Sequence, residues 1–350
     1  MAGNFYADSS FFQRLTKRGN EHHWNEFIDE CEAHKIEIPQ GCDPMFTSFL
    51  LLERIGLGGV LIPIQKSPAY KALVIFVRSY MAQIPDPRKL SEGDQKSLQE
   101  EIASLLDGMG ETFHALLYLR PELQSAALLK NLDKEIHEYA TSRVAGELVK
   151  PTLLRIRQFL VENPERAAAA IVGHLGWNLM TTFPYIEPDQ VSPSEAEVMF
   201  EKAKLWFDSL FATLHASFVR KRQLGFFRLA EARAYAYAKI IAKDSQNPKF
   251  ASAKKSLKHY RPMRRQDDLC DGELIDFAVL GFEGKKVTCF TADNPIDIKN
   301  RLSLLKGTLT DVARDVQGWI IQPCWGRVYC TTQQGQPLQI MESFILDSTS

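Results

Sequence analysis

The chain has 350 residues, 45% of them hydrophobic, 24% charged and 10% aromatic, a globular composition that excludes a disordered, collagen-like or disulfide-stapled chain. Lys+Arg number 42 against 43 Asp+Glu, a net charge of -1, so no global basic field drives the protein onto a polyanion and a nucleic-acid partner must be met by a local patch. At about 150 residues per domain, the length predicts two domains or one domain carrying a large insertion.

The chain opens on Phe5-Tyr6-Ala7, a short apolar run ending at Asp8 and patterned as a strand. A loop is expected next, then a helix within 20–35, where Trp24, Phe27, Ile28 and Cys31 recur at helical spacing. Ile36 and Ile38 alternate with polar neighbours and predict a short strand. Asp43-Pro44 then supply an N-cap and a first-turn proline for a helix through Phe46, Phe49, Leu50 and Glu53. Gly56-Leu57-Gly58-Gly59 is expected to stop that helix; it lacks the lysine of a phosphate loop and follows a helix rather than a strand.

From about Val60 to Pro262 the pattern is helical, with breaks at Pro85-Asp86-Pro87, Asn163-Pro164 and 184–193. Ser91 with Asp94, and Ser192 with Glu195, are capping-box signatures, the second followed by Pro193 at the first helical position. Met199, Ala203, Trp206, Leu210 and Leu214 form one apolar stripe that needs a partner helix, as in a bundle. The longest apolar stretch, 167–183, is interrupted by His174, Asn178 and two glycines and falls short of the ~20 residues of a bilayer span.

After the basic Arg261, Arg264 and Arg265 the α/β character returns. A helix is expected from about Asp271 to Leu280, a strand at 287–290, a helix over about 295–316, and strand-prone runs at 319–322, 327–331 and near 338–341. Residues 1–59 and 263–350 thus read as two halves of one sheet-containing domain, interrupted by a helical insertion at 60–262. The six cysteines make no CxxC pair or zinc-like spacing, and no secretory start is evident, so reduced thiols and a cytoplasmic location without membrane are expected.

Four carboxylates stand where a solvated-face explanation is weak. Asp8 ends the first strand, Glu53 lies on an otherwise apolar helix face, Asp271 heads a helix, and Asp293 follows a strand. Ligands of an open parallel sheet bind at the carboxyl edge of the strands, where loops share a crevice. Gathered carboxylates repel unless a cation neutralises them, and an all-oxygen shell suits Mg²⁺ or Mn²⁺. Such ions activate a bound water and neutralise charge on a phosphodiester under attack. Taken singly, each acid also reads as a helix cap or a surface charge.

The order Tyr6-Ala7-Asp8-Ser9-Ser10, then Glu53 in its helix, then Asp271-Gly272-Glu273-Leu274-Ile275-Asp276, then Thr291-Ala292-Asp293 resembles the PIN domain family of nucleases. The resemblance covers about 4–58 and 265–306. It implies a PIN-like α/β/α sandwich with a central, mostly parallel sheet, interrupted by the all-α insertion. It further implies that Asp8, Glu53, Asp271 and Asp293 are the catalytic, metal-binding acids of a Mg²⁺- or Mn²⁺-dependent nuclease, RNA preferred over DNA. Ser9 or Ser10 would help place Asp8, and Thr291 would be the hydroxyl before the last acid. Asp267, Asp268, Glu273 and Asp276 are near enough to Asp271 to compete with it, although Asp276 reads as a surface or secondary position.

Lys17, Arg18, Arg54, Arg261, Arg264 and Arg265 are candidate phosphate contacts; Arg264 and Arg265 read equally as a solvated linker. His22, His23 and Glu26 read as surface residues and His174 as a core or interface histidine. The insertion is expected to choose a substrate or a protein partner. A rival reading from another class is a non-catalytic scaffold whose insertion docks a protein, and a DNA-acting nuclease is a third.

Overall fold

The computed structural model describes residues 5–16, 23–36, 55, 58–140, 143–180, 192–212, 219–259, 266–282, 284–299, 305, 308, 324, 326–332 and 340–345. Segments from opposite ends of the chain build the sheet. Strand β1 (Phe5–Ala7) pairs in parallel with β2 (Thr288–Thr291), Phe5 opposite Thr288 and Ala7 opposite Phe290. Strand β2 pairs in parallel with β3 (Arg327–Thr331), which pairs antiparallel with β4 (Ile340–Ile345), giving the order β1-β2-β3-β4. Side chains alternate between the faces of a sheet, so Phe5, Phe290 and Tyr329 share one face, with ring centroids 5.9 and 5.5 Å apart across the strands. Tyr6 and Cys289 belong to the other.

Helix α1 (Ser9–Thr16) occupies a segment expected as loop. Ser9-Ser10 is a poor helix interior, but Asp8 immediately before it is an N-cap, and its Oδ1 accepts from the Phe11 N–H at 2.9 Å. Phe11 and Phe12 are then wholly buried, and Phe11 with Phe27 of helix α2 (His23–Ala33) packs on Phe290, at 5.6 and 4.9 Å. These two helices cover the first face of the sheet.

Helix α3 (Gly58–Lys66) begins on the double glycine that was expected to end a helix. The first-turn N–H groups of a helix have no intrahelical partner, so glycine costs little there, and burial of Val60, Leu61 and Ile64 draws the segment into the core. Helix α4 (Pro68–Gln83) is capped by Ser67, whose Oγ accepts from the Tyr70 N–H at 3.2 Å. A 3₁₀ turn follows the expected proline break, and then come α5 (Glu92–Tyr118), α6 (Ser125–Ala140), α7 (Arg143–Glu162) and α8 (Pro164–Met180). Helices α9 (Pro193–Ala212), α10 (Val219–Ile241) and α11 (Phe250–His259) complete the helical run.

The capping box at Ser192 forms in both directions, its N–H donating to Glu195 Oε2 at 2.8 Å and its Oγ accepting from the Glu195 N–H at 3.4 Å. At Ser91 the cap forms in one, Oγ accepting from the Asp94 N–H at 3.2 Å. The expected stripe of α9 is buried at Ala203, Trp206 and Leu210, and α9 packs between α5 and α10. Buried among these helices, Lys202 Nζ donates to the carbonyls of Met81 and Ala82 at 2.9 and 3.3 Å, placing a cation on the negative end of α4. Burial holds its pKa below the usual lysine range.

Helix α12 (Gln266–Leu280) lies on the second face of the sheet, with Phe277 stacked on Tyr6 at 4.7 Å. It begins at Gln266 rather than at Asp271, so Asp271 sits in its second turn and does not open it. From Gly272 to Leu280 it is buried on every side, between the strands and helices α3 and α10. Asp276 is accordingly 0% exposed, which corrects its reading as a surface position. A helix sandwiched between two layers has no solvated side, which the 3.6-residue period alone does not reveal.

One continuous hydrophobic cluster runs from Phe5 on β1 through Phe113 on α5 to Trp206 on α9. The mixed α/β character is thus present, with helix dominating. Residues 295–299 are helical where a helix was expected. The strand at Ile38, the helix after Asp43-Pro44 and the run at 319–322 lie outside the described residues. Among the described residues no single helix is long and apolar enough to cross a membrane; the stretch from Val60 to Lys89 has the length and composition only as a pair of segments bent by 67°.

The lower end of α12 is fastened to the start of β3: the Gly326 N–H donates to the Ala278 carbonyl at 2.6 Å, and a Cβ at Gly326 would lie 2.7 Å from the Val287 oxygen and 2.9 Å from that of Ala278. Both obstacles are backbone, so Gly326→Ala is expected to destabilise the fold by about 2 kcal/mol, measured by urea denaturation.

Candidate functional site

Because Ala7 is opposite Phe290, the parallel register brings the next residues, Asp8 and Thr291, side by side where β1 and β2 end. Asp8 is 3% exposed and Thr291 fully buried. The Thr291 hydroxyl donates to Asp8 Oδ2, and Ser10 Oγ donates to Asp8 Oδ1 at 2.7 Å. Each hydroxyl also accepts a backbone N–H from the segment after β2: Thr291 Oγ1 from Asp293 at 2.9 Å, Ser10 Oγ from Ala292 at 3.0 Å. The Asp8 backbone N–H donates to the Phe290 carbonyl at 3.2 Å. Of the two serines weighed for placing Asp8, Ser10 supplies this hydroxyl.

Two opposing influences act on the Asp8 proton. Three donors, from Thr291, Ser10 and Phe11, favour the carboxylate, while burial and then the negative charge of Asp293 favour the acid. Burial and repulsion win, and the Asp8 pKa is pushed up to about 8. Asp293, partly exposed just beyond β2, is therefore close enough to Asp8 for their charges to interact.

Helix α12 joins β2 through the short connection 281–287 and is bonded to the start of β3, so it runs antiparallel to the parallel strands and its amino half points toward their carboxyl edge. Asp271 lies six residues before Phe277, about 9 Å along the axis. Asp8 lies about 7 Å beyond Tyr6 along the strand direction. The backbone of Asp271 therefore comes to the level of Asp8. The acid that α12 turns toward β1 is Glu273, whose Oε2 accepts from Tyr6 Oη at 3.1 Å. The side chain of Asp271 lies outside the described residues.

Glu273 was weighed only as a neighbour of Asp271. Its spacing of four from Phe277, within an otherwise apolar run, was the signal that it faces inward. Glu53, Lys17, Arg18, Arg54, Arg261, Arg264 and Arg265 lie outside the described residues. His174 is half-buried in α8. Burial pushes the Cys31 thiol up to about 12 and the Cys324 thiol upward, so neither of these two is suited to act as a nucleophile.

The donors at this edge, the carboxylates of Asp8 and Asp293 and the hydroxyls of Thr291 and Ser10, are all oxygen and suit a hard divalent cation in type. Among the described residues no three His, Cys, Asp or Glu side chains form a metal-holding group. The two carboxylates fit such an ion electrostatically: burial and then the charge of Asp293 raise the Asp8 pKa, and a cation would oppose both.

An acid whose pKa is higher folded than unfolded binds its proton more tightly in the folded state, so its contribution to stability is lost as pH rises from about 4 through about 8. In cation-free buffer the wild type is expected to lose stability between pH 5 and pH 9 relative to Asp8→Asn, which has no proton to release. Urea denaturation of both proteins across that range measures the difference; parallel curves would refute the buried-acid assignment. Compared with known protein families, curated proteins and solved structures, the chain has no match.

Proposed function

We propose that the protein is a metal-dependent phosphodiesterase acting on nucleic acid, RNA in preference to DNA, built on a PIN-like α/β/α frame. The observation that carries this reading is the buried Asp8 carboxyl, bonded to Thr291 and close to Asp293 at the carboxyl edge of parallel strands. The order of Asp8, Thr291 and Asp293 around that edge agrees with the resemblance in sequence, from which the preference for RNA is drawn. Glu53 and Asp271 are proposed to complete the acidic set, and Glu273 to position β1 through Tyr6.

A bound Mg²⁺ or Mn²⁺ would supply a water of lowered pKa and positive charge for the phosphodiester. Asp8 would release its proton on cation uptake and then contribute negative charge to the shell. Thr291, Ser10 and the Phe11 N–H hold its two oxygens in one orientation, so ionisation requires no rearrangement of the carboxyl. Asp293, less buried, is the acid nearer solvent and the entering phosphate. The helical region between α3 and α11 is proposed to select the substrate or a protein partner.

One observation favours the scaffold reading: both Asp8 oxygens already have donors within the protein, as expected of a structural latch between β1 and β2. The two readings differ in how they respond to a cation. Under the nuclease reading, Mn²⁺ binding at pH 7 releases about one proton from Asp8, detected with an indicator dye in weak buffer, and the protein cuts a fluorescent single-stranded RNA. Asp8→Asn is expected to remain folded, release no proton and cut at the background rate. Cleavage by Asp8→Asn with unchanged metal dependence would dismiss the assignment, and Mn²⁺ stabilisation without cleavage of any nucleic acid would support the scaffold.

A further inference from the structure

The most strongly charged stretch outside the acidic edge is the hairpin of α10 and α11. From Lys239 to Arg265 the chain carries nine lysines and arginines against one acid, Asp244, in a protein whose net charge is -1. Buried alanines, among them Ala234, Ala238 and Ala253, pack the two helices, so the lysines are not needed to hold the hairpin closed. The turn between the helices is fixed by side-chain bonds to its own backbone. Asp244 Oδ1 accepts from the Gln246 N–H at 3.0 Å, and Asn247 Oδ1 from the Lys249 N–H at 2.9 Å. The one acid of the stretch is thus engaged with the turn.

Lys249, Lys254 and Lys255 are exposed, Lys254 with its ammonium 4.4 Å from the centroid of the Phe250 ring. Like charges on neighbouring residues, as on Lys254 and Lys255, repel, and a polyanion relieves that repulsion while releasing its own counterions. Among the described residues none of the exposed large apolar side chains lies on this hairpin, whereas a membrane-surface helix needs an apolar face beside its basic one. From the end of α11 the chain reaches α12 through residues 260–265. Such a connection spans at most about 25 Å, or about seven nucleotide steps at 3.4 Å, and α12 directs its amino half to the edge that carries Asp8.

We propose that Lys249, Lys254 and Lys255 bind the sugar–phosphate backbone of a single-stranded RNA and lead it toward the acidic edge of the sheet. The surface extends the nuclease reading and rests on it for the direction of the strand, though not for binding itself. Phosphate contacts of this kind fix register without reading sequence.

The test uses the full chain carrying Asp8→Asn, which keeps the RNA intact, and a fluorescein-labelled 20-nucleotide single-stranded RNA, followed by anisotropy from 50 to 300 mM KCl without divalent ions. Adding Lys249→Glu, Lys254→Glu and Lys255→Glu is expected to weaken binding about 30-fold at 100 mM KCl and to reduce the slope of log Kd against log salt by about 2, three contacts at about 0.7 each. The melting temperature should remain that of the parent. Binding within threefold of the parent would overturn the proposal, as would a parent that does not bind RNA, or one that prefers phosphatidylserine vesicles. With Asp8 intact, a triple variant that cleaves RNA at unchanged KM would remove the hairpin and leave the nuclease. RNA bound through these lysines yet never cut with Mn²⁺ would do the reverse.

Discussion

A parallel pair of strands separated by most of the chain depends on one carboxyl group. Strand β1 has three residues, and the Asp8–Thr291 bond spans 283 positions of sequence, so closing the loop between them costs entropy that three ladder residues recover poorly. Asp8 compensates by serving four backbone and side-chain functions at once. Its N–H extends the ladder to Phe290, its carbonyl accepts from Phe12 at 3.2 Å, its Oδ1 caps α1, and its Oδ2 takes the Thr291 hydroxyl. Strand end, helix start and cross-strand register are therefore set by the same residue.

That arrangement has an electrostatic consequence. A carboxyl placed to satisfy hydrogen bonds is also removed from water and set against Asp293, and the net effect is an acid that ionises near pH 8. On the same face of the sheet, α12 presents the buried Glu273 to Tyr6 and keeps Asp276 wholly buried. Acidic side chains thus concentrate around one end of β1 and along its second face. Uptake of a cation there is a proton exchange as much as a binding event.

The helical run supplies the complementary feature. Its core is continuous with that of the sheet layers, and α10 packs directly on α12 and α1 on α7. A chain that is nearly neutral overall is polarised within this frame, acidic at the strand ends and basic on the α10–α11 hairpin. Separation of charge at fixed distance, rather than net charge, is what a near-neutral protein can offer a polyanion.

Local signals carried far in this chain. The strand at Phe5–Ala7, the strand near Thr288, the helix caps at Ser91 and Ser192 and the inward stripe of α9 depend on neighbours within a turn or two, and those residue patterns were enough to find them. Asp8 and Asp293, and through the resemblance Thr291, could be named as candidates for one site, but no local pattern shows them side by side. Helix α1 and the start of α3 differ from expectation because their apolar residues, Phe11 and Val60 among them, are buried by partners distant in sequence. Burial of Asp276 and the choice of Glu273 to meet Tyr6 came from packing α12 on both sides, which no single-helix period encodes. The sequence by itself determined which segments could be strand or helix and which acids could meet; only the tertiary structure decided the register that sets Asp8 against Thr291, because register is a property of two strands and not of either one.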